Sequence, residues 1–204
     1  GAAAGGHRQG DTAVLTEEQM QKNITSPIDD STIESLHAGD QVLISGVMYV
    51  GRDAAHKRLV ETLDKGGEMP FDVKGQTIYY MGPSPTKPGH VIGSAGPTTS
   101  GRMDAYTPRM LQAGLKAMIG KGLRSPDVKE AIKKHKAVYF AATGGAAALI
   151  ARSITKSETI AYEELGPEAV LRLEVKDFPA VVINDCHGGD LYQEGKARYA
   201  KTAA

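Results

Sequence analysis

The segment QVLISGVMYVGRDAAHKRLVETLDKG (41–66) joins a predicted strand to a predicted helix and decides the fold class. Gln41–Val50 is rich in β-branched and other apolar residues, which is typical of a buried strand. Gly51 ends this strand, and apolar side chains then recur every four residues, which is the spacing of one helix face. A buried strand followed directly by an amphipathic helix indicates an α/β domain.

Further strands and helices follow along the chain in alternation. Strands are predicted at 76–82, 90–96, 116–122, 137–145, 157–165, 170–178 and 180–186. Helical segments are predicted at a short turn within 26–40, from Met103 to Gly114, from Ser125 to Lys136 and over 144–154, and the tail 190–204 is expected to be either helical or frayed. Ser125 precedes Pro126, which is the residue order of a capped helix start. This order predicts one α/β domain with more than one sheet.

The composition excludes several classes of protein. The chain has 204 residues, of which 41% are hydrophobic and 24% charged, as in ordinary globular domains. Its 24 basic and 24 acidic residues give a formal net charge of zero, so no overall field favours nucleic acid or an anionic membrane. No apolar run approaches the 18 residues of a membrane span. Residues 1–22 are predicted to be disordered, without the apolar stretch of a secretory signal, and 23–204 to form the domain.

Cysteine and histidine usage limits the possible chemistry. Cys186 is the single cysteine, and one thiol cannot hold an iron–sulfur cluster or a structural zinc by itself. It is consistent with a reducing, cytoplasmic location. The six histidines show no metal-binding spacing, so no metal ligands are predicted in this chain. Cys186 and His187 are expected to point to opposite faces of a strand and therefore not to pair as nucleophile and base.

Three basic residues follow predicted strand ends next to glycine. They are Arg52 in GRDAAH, Arg102 in TTSGR and Lys121 in GKG. Ligands of α/β proteins bind where strands end, and arginine offers a planar fork for a carboxylate or phosphate. Three converging cations would suit a dianionic substrate; the alternative is three solvated surface charges. His56, one helical turn after Arg52, either orients a substrate or is a half-exposed helix residue.

Two glycine-rich stretches require separate interpretations. GSAGPTTSGRMDAY (93–106) places hydroxyls at a predicted helix start, where they either cap the helix or help to bind an anion. ATGGAAALI (142–150) lacks the Gly-Lys-Ser/Thr ending of a phosphate-binding loop and the third glycine of a dinucleotide fingerprint. It is predicted to be a tight turn with close helix packing.

Several of these motifs together resemble a known family. They are SGVMYVGRDAAHKRL (45–59), GPTTSGRMDAY (96–106), IGKGLRS (119–125), GGAAALIARSI (144–154) and ELGPEAVLRLEVKDFPAVV (164–182). The chain from about Gly39 to Tyr192 resembles the β subunit of class I fumarate hydratase, which is the C-terminal domain of single-chain members. The related β subunit of L-tartrate dehydratase is the nearest alternative, although the GRDAAH motif favours fumarase.

The resemblance implies a fold and a divided active site. The fold would be a single β/β/α swivelling-type domain with mixed sheets and flanking helices. A partner α subunit would supply three cysteines to a [4Fe–4S] cluster, whose open iron binds the substrate. The assembled enzyme would reversibly hydrate fumarate to L-malate, and the pair would form a homo- or hetero-oligomer in the cytoplasm.

The resemblance also implies roles for five residues of this chain. Arg52, Arg102 and Lys121 would bind the substrate carboxylates, and Thr99 would be a hydrogen-bonding neighbour. Thr98 would be the catalytic group that takes the proton from C3 of malate. Two other functions stay open: the same chemistry on tartrate, or a non-catalytic anion-binding or assembly domain.

Overall fold

The computed structural model describes residues 21–82, 85–142 and 147–202. The strands are β1 Gln21–Ser26, β2 Gln41–Val50, β3 Thr77–Tyr79, β4 Ala117–Gly120, β5 Val138–Ala142, β6 Ile154–Ala161 and β7 Val170–Asn184. The α-helices are α1 Asp30–Glu34, α2 Asp53–Asp64, α3 Thr107–Gln112, α4 Pro126–Lys134, α5 Ala147–Ser153 and α6 Leu191–Thr202. Two 3₁₀ helices span Ser100–Met103 and Glu163–Glu168.

The described strands form one mixed sheet that closes into a small barrel. Strands β1 to β5 run parallel in the order in which they occur along the chain. Strand β7 runs antiparallel to both β2 and β5, so β2, β3, β4, β5 and β7 close on one another. Strands β1 and β6 extend this barrel. The prediction of an α/β domain is confirmed, whereas the prediction of more than one sheet is wrong.

Strand β7 is a single 15-residue strand where the sequence predicts two strands, over 170–178 and 180–186. The Lys-Asp-Phe-Pro sequence looks like a break because proline cannot donate to a sheet ladder. Instead, the pairing with β2 shifts register opposite Ser45, where Asp177 has a φ of 53° and its amide donates to Ser45 Oγ at 3.0 Å. Such a bulge bends a strand, which lets β7 pair with β6 first and with β5 later.

Two further predictions differ from the structure at the start of the chain and after β3. Residues 90–96 form a loop instead of a strand; the loop is anchored by hydrogen bonds from the Tyr79 hydroxyl to the Ala95 carbonyl and from the Gly82 amide to the Gly96 carbonyl. The sequence does not predict strand β1, because its segment shows no alternating pattern. This strand begins at Gln21, two residues before the predicted domain start, and the rest of the segment predicted to be disordered lies outside the described residues.

The barrel has an inner and an outer apolar layer. Neighbouring residues of one strand alternate between the layers: Tyr79 lies in the inner layer and Ile78 in the outer one. Helices α2, α3 and α4 cover the outer layer with buried residues such as Leu59 and Ile132. The predicted cap of α4 is confirmed, since Ser125 Oγ accepts a hydrogen bond from the Val128 amide at 3.3 Å.

The remaining predictions concern the tail and the glycine-rich turn. Helix α5 confirms the helix expected over 144–154, and α6 shows that the tail is helical over Leu191–Thr202. The predicted tight turn falls on residues 143–146, outside the described part of the chain. None of the helices in the described ranges has the length and apolar character needed to cross a bilayer.

Candidate functional site

The predicted site residues meet at the carboxyl ends of the parallel strands. Arg52 lies two residues after the end of β2, and Lys121 directly follows β4. Thr99 forms a β-bridge with Lys121, and the Thr98 amide donates to the Tyr80 carbonyl at 2.8 Å. The segment around Thr98 and Thr99 therefore lies between the extensions of β3 and β4. This edge of a parallel sheet is where α/β proteins bind ligands.

An ion pair brings Arg102 to the same edge. Arg102 follows Thr99 in the 3₁₀ helix, and its Nε and Nη2 donate to Asp53 Oδ2 at 2.9 and 2.7 Å. Asp53 is the first residue of α2 and the direct neighbour of Arg52. The ion pair therefore joins the two arginine-bearing segments, which the sequence alone does not connect.

The three basic side chains differ in whether they form an ion pair. Arg102 is paired with Asp53, whereas Arg52 and Lys121 form no ion pair with any described residue. Arg52 Nε is buried without a hydrogen-bond acceptor, and Asp53 Oδ1 without a donor, within the described part of the chain. Three cationic groups thus share one edge with the paired carboxylate of Asp53 and with Glu168, which lies beside the start of α2. Such an arrangement attracts an anion with more than one negative charge.

The hydroxyl groups at this edge do not cap a helix. Thr99 stands at the cap position of the 3₁₀ helix, but its side chain makes no capping hydrogen bond. Ser100 is fully buried, and its Oγ lies 2.9 Å from the Tyr139 hydroxyl. The capping interpretation is therefore wrong for these two residues. A four-residue helix also contributes little dipole, so an anion here would depend on the cations and the free hydroxyls.

The buried side chain of Arg124 links two of the segments that carry predicted site residues. Arg124 Nε donates to Asp104 Oδ1 at 2.7 Å and its Nη2 to Thr107 Oγ1 at 2.8 Å, with the guanidinium lying over the rings of Tyr80 and Tyr139. These contacts join the segment after β4 to the segment that carries Arg102. Sequence reasoning missed Arg124 and Asp104, because partners twenty residues apart leave no local pattern.

Gly120 allows the site segment to approach β4 closely. A Cβ atom added at this position would lie 2.0 Å from Ser100 Oγ and 2.9 Å from Tyr80 Cδ2. Both distances are shorter than non-bonded atoms tolerate, so a side chain here would displace the segment that carries Thr98 and Thr99.

His56 is completely buried, so the expectation of a half-exposed residue is wrong. Its ring packs near the rings of Tyr80 and Tyr106, with centroids 5.4 and 6.3 Å away. Nδ1 lies 2.9 Å from the Arg52 carbonyl oxygen. Burial lowers the pKa of His56 to about 4, which makes the ring neutral near pH 7.

The Cys186–His187 pair lies at the opposite edge of the sheet. Strand β7 ends at Asn184, which pairs with Tyr139 at the start of β5, and a turn follows. Cys186 Sγ lies 3.7 Å from His187 Nε2 in this turn, so the expectation that the two side chains point apart on a strand is wrong. Burial raises the pKa of the Cys186 thiol, and His187 Nε2 also lies 2.9 Å from the Glu34 carbonyl. The thiol is therefore not activated as a nucleophile.

Comparison with known proteins identifies the family. The family described as "Fumarase C-terminus" matches residues 7–195. The aerobic class I fumarate hydratase of Salmonella typhimurium is 44% identical over 153 residues, which are 74% of this chain and 26% of that protein. The anaerobic class I enzyme of Escherichia coli is 46% identical over 154 residues, which are 74% of this chain and 28% of that protein.

A relative of similar length completes the comparison. The putative L(+)-tartrate dehydratase subunit beta of Methanocaldococcus jannaschii is 37% identical over 168 residues, which are 79% of this chain and 86% of that protein. Fold and relatives together define an α/β domain that also occurs in proteins named class I fumarate hydratase and L(+)-tartrate dehydratase. The chain belongs to the fumarase C-terminus family, and it spans about a quarter of the length of the class I fumarate hydratases that it matches.

Proposed function

We propose that this chain is the β subunit of a cytoplasmic [4Fe–4S] hydro-lyase that reversibly hydrates fumarate to L-malate. The observation that carries this proposal is the meeting of Arg52, Arg102 and Lys121 at one sheet edge, in a chain whose relatives are named fumarate hydratases. A small dicarboxylate has two negative groups for these cations to bind. We further propose that the domain moves as a swivelling-type β/β/α unit against its partner.

The cations would divide the two carboxylates of the substrate between them. Arg102 uses Nε and Nη2 for Asp53, which leaves Nη1 for a substrate oxygen. The buried Nε of Arg52 gains the acceptor that it lacks within the described residues. Charge-assisted hydrogen bonds of this kind contribute about 1.5–3 kcal/mol each, which favours a ligand over water.

Thr98 would transfer the proton at C3 of malate, with Thr99 as a hydrogen-bonding neighbour. A neutral alcohol is a weak base, so its action depends on nearby positive charge. The cations at this edge would favour the alkoxide form of Thr98 before the transfer. As the C3 proton moves to that oxygen, the negative charge passes to the substrate, where the same cations stabilise it. The hydrogen bond from the Thr98 amide to the Tyr80 carbonyl fixes the main chain from which this hydroxyl projects.

The donor set of this chain does not fit a [4Fe–4S] cluster. Cys186 is its one cysteine and lies at the edge opposite Arg52 and Lys121. In the described ranges, no three His, Cys, Asp or Glu side chains are close enough to hold a metal ion. We therefore assign the cluster to a partner α subunit, and the roles proposed for this chain are confined to its own side chains.

An apolar groove beside the site offers a surface for that partner. The groove has a volume of about 690 Å³ and is lined by Gly122, Leu123, Leu191, Tyr192 and Gly195, among others. Leu123 is 58% exposed and lies two residues after Lys121, so a chain seated here would face the cations. The matched stretches of 153 and 154 residues cover only 26% and 28% of the class I enzymes, which supports the remainder of such an enzyme as the occupant.

Substitution at Leu123 tests the docking surface. Leu123→Glu should weaken association with the α subunit at least tenfold, because a charge would be buried in an apolar contact. Leu123→Met is the matched control and should bind like the wild type. Titration calorimetry measures both. Equal affinities for Leu123→Glu and wild type would place the interface elsewhere.

Reconstitution tests the function itself. The chain is co-expressed with the cluster-bearing α chain of the same source, purified without oxygen and assayed on L-malate and on L-tartrate. Turnover of malate with little turnover of tartrate supports the proposal. Turnover of tartrate alone would make the chain a tartrate dehydratase subunit, as the name of the Methanocaldococcus relative suggests. A fully loaded complex that acts on neither would leave a non-catalytic anion-binding or assembly domain.

A further inference from the structure

We propose that His56 is a positioning residue that fixes Arg52 for carboxylate binding through a hydrogen bond to the Arg52 main-chain carbonyl. The inference rests on the proposed function, because Arg52 matters here as a substrate ligand. In this proposal His56 does more than fill space in the core, and it does not transfer a proton.

The geometry places two donors on one carbonyl. The Arg52 carbonyl accepts the His56 amide at 2.8 Å, which is an ordinary bond of the first helical turn. It also lies 2.9 Å from His56 Nδ1. The second contact is a hydrogen bond only when Nδ1 carries a proton, so Nε2 of the neutral ring is left as an acceptor. The carbonyl of the residue that joins β2 to α2 is thereby held at two points.

The ring also packs under the main chain of the Gly51–Arg52 step. A Cβ atom at Gly51 would lie 3.4 Å from His56 Cε1, so the ring already sits in contact distance of this backbone. The Tyr80 ring meets the imidazole in a T-shaped arrangement, with the ring centroids 5.4 Å apart. The direction in which Arg52 leaves the strand is therefore set by contact with a fully buried ring.

A packing role alone does not explain a histidine at this position. Nε2 is buried, and among the described residues it has no hydrogen-bond partner. A buried polar atom without a partner lowers stability, whereas leucine would fill the same space without that penalty. The benefit that offsets the penalty is the Nδ1 bond to Arg52.

Unpartnered polar atoms concentrate in the same short segment. Within the described residues, five buried side-chain atoms lack hydrogen-bond partners, and three of them lie here: Arg52 Nε, Asp53 Oδ1 and His56 Nε2. The other two are Gln76 Oε1 and Asp190 Oδ2. Buried groups left open in this way mark places where a ligand supplies the missing contacts. His56 thus belongs to the segment that is prepared for substrate.

The charge state of His56 suits this role. The charged groups that act on the ring are Arg124, which lowers its pKa further, and Asp53, which raises it, while Tyr80 and Tyr106 face it as uncharged rings. Burial outweighs them and keeps the ring neutral. A neutral imidazole orients Arg52 without repelling its guanidinium or competing for the substrate carboxylate.

The first experiment examines the hydrogen bond in this chain alone. Nitrogen NMR of the labelled chain should show His56 protonated at Nδ1 and unprotonated at Nε2 at every pH between 5 and 8. A ring protonated at Nε2, or one that titrates within this range, overturns the proposal. Because no substrate is present, this result does not depend on the proposed function.

The second experiment measures KM and kcat in the reconstituted enzyme. Asparagine places an amide N–H near the position of Nδ1, whereas glutamine places it farther along the side chain. His56→Asn should keep KM for malate within about threefold of wild type, and His56→Gln should raise it roughly tenfold, the effect of one lost orienting hydrogen bond. In both variants kcat should change less than KM. Equal KM values for the two variants would show that His56 does not orient Arg52.

Two further variants separate the possible causes. Leu59→Ala removes a buried side chain from the same helix and should lower the melting temperature without raising KM. If Leu59→Ala raised KM as much as His56→Gln, the effect of His56→Gln would be explained by a general loss of packing, and the proposed role of His56 would be wrong. Arg52→Gln tests the premise: an unchanged KM there would remove Arg52 from substrate binding while leaving the NMR result intact.

Discussion

Two polar clusters lie at opposite edges of the sheet, and they differ in how far their hydrogen bonds are satisfied. In the turn after β7, the Asp185 carboxylate accepts the amides of His187 at 2.9 Å, Gly189 at 2.8 Å and Ala38 at 2.8 Å. At the other edge, Arg52 Nε and its neighbours leave buried polar atoms without partners among the described residues.

The difference separates a structural turn from the proposed binding site. Asp185, Cys186 and His187 are the residue types of a catalytic group, yet their hydrogen-bonding capacity is used to close the turn. At the edge with Arg52 and Lys121, buried hydrogen-bonding atoms have no partners among the described residues. Buried atoms without hydrogen-bond partners among the described residues are therefore more frequent at this edge, although Gln76 Oε1 and Asp190 Oδ2 also belong to them.

The largest effect is expected at the open edge. Thr98→Val should lower kcat of the reconstituted enzyme roughly 10²–10⁴-fold, the usual loss when a proton-transfer group is removed. KM should change much less, since the lost interaction belongs to the transition state. Exchange of deuterium from solvent into C3 of malate measures the step directly. Thr99→Val is the matched control and should chiefly raise KM; exchange at the wild-type rate in Thr98→Val would exclude Thr98 from the mechanism.

The satisfied edge should respond in stability and not in catalysis. Asp185→Ala removes the acceptor of three backbone amides and should lower the free energy of unfolding by about 2–4 kcal/mol. KM and kcat per folded enzyme should stay at wild-type values. Denaturant unfolding and steady-state kinetics measure the two quantities. Cys186→Ser is the control, with little effect on either, and a strong loss of turnover in it would make the turn catalytic after all.

The pH dependence of the free energy of unfolding tests whether His56 is buried in the folded chain. The unfolded chain binds a proton at His56 below about pH 6.5, whereas the folded chain does so only near pH 4. The free energy of unfolding is therefore unaffected above pH 6.5 and falls, by on the order of 3 kcal/mol, as the pH drops towards 4. His56→Asn should lose this part of the slope in denaturant unfolding between pH 7.5 and 4.5. His187→Asn should keep it, and identical slopes for wild type and His56→Asn would contradict the burial of His56.

A smaller effect is expected where charge is kept but geometry is lost. Arg102→Lys should reduce kcat/KM for malate by about 1–3 kcal/mol, that is, roughly 5- to 150-fold, because one ammonium cannot serve Asp53 and the substrate as a guanidinium does. Steady-state kinetics of the reconstituted enzyme provide the measurement. Lys116→Arg, at a distant ion pair with Asp30, controls for exchange of one cation for another. An unchanged kcat/KM would make Arg102 a surface charge held by Asp53.

The sequence alone determined the features that depend on near neighbours along the chain. The apolar run of β2, the helix face of α2 and the cap at Ser125 follow from residues within one or two turns of each other. The single cysteine also limited the metal chemistry without any structure. The sequence also predicted that the basic residues after the strand ends lie at one edge, because a parallel sheet brings the carboxyl ends of its strands together.

Only the tertiary structure decided which distant residues meet. Closure of the barrel depends on β7 pairing with β2 across more than a hundred residues, and the bulge at Asp177 that permits it looks like a strand break. Burial of His56 and the Arg102–Asp53 ion pair likewise arise from packing between separate segments. Local pattern reflects the conformational preference of a few residues, whereas burial and partner choice depend on contacts that exist only once the sheet has closed.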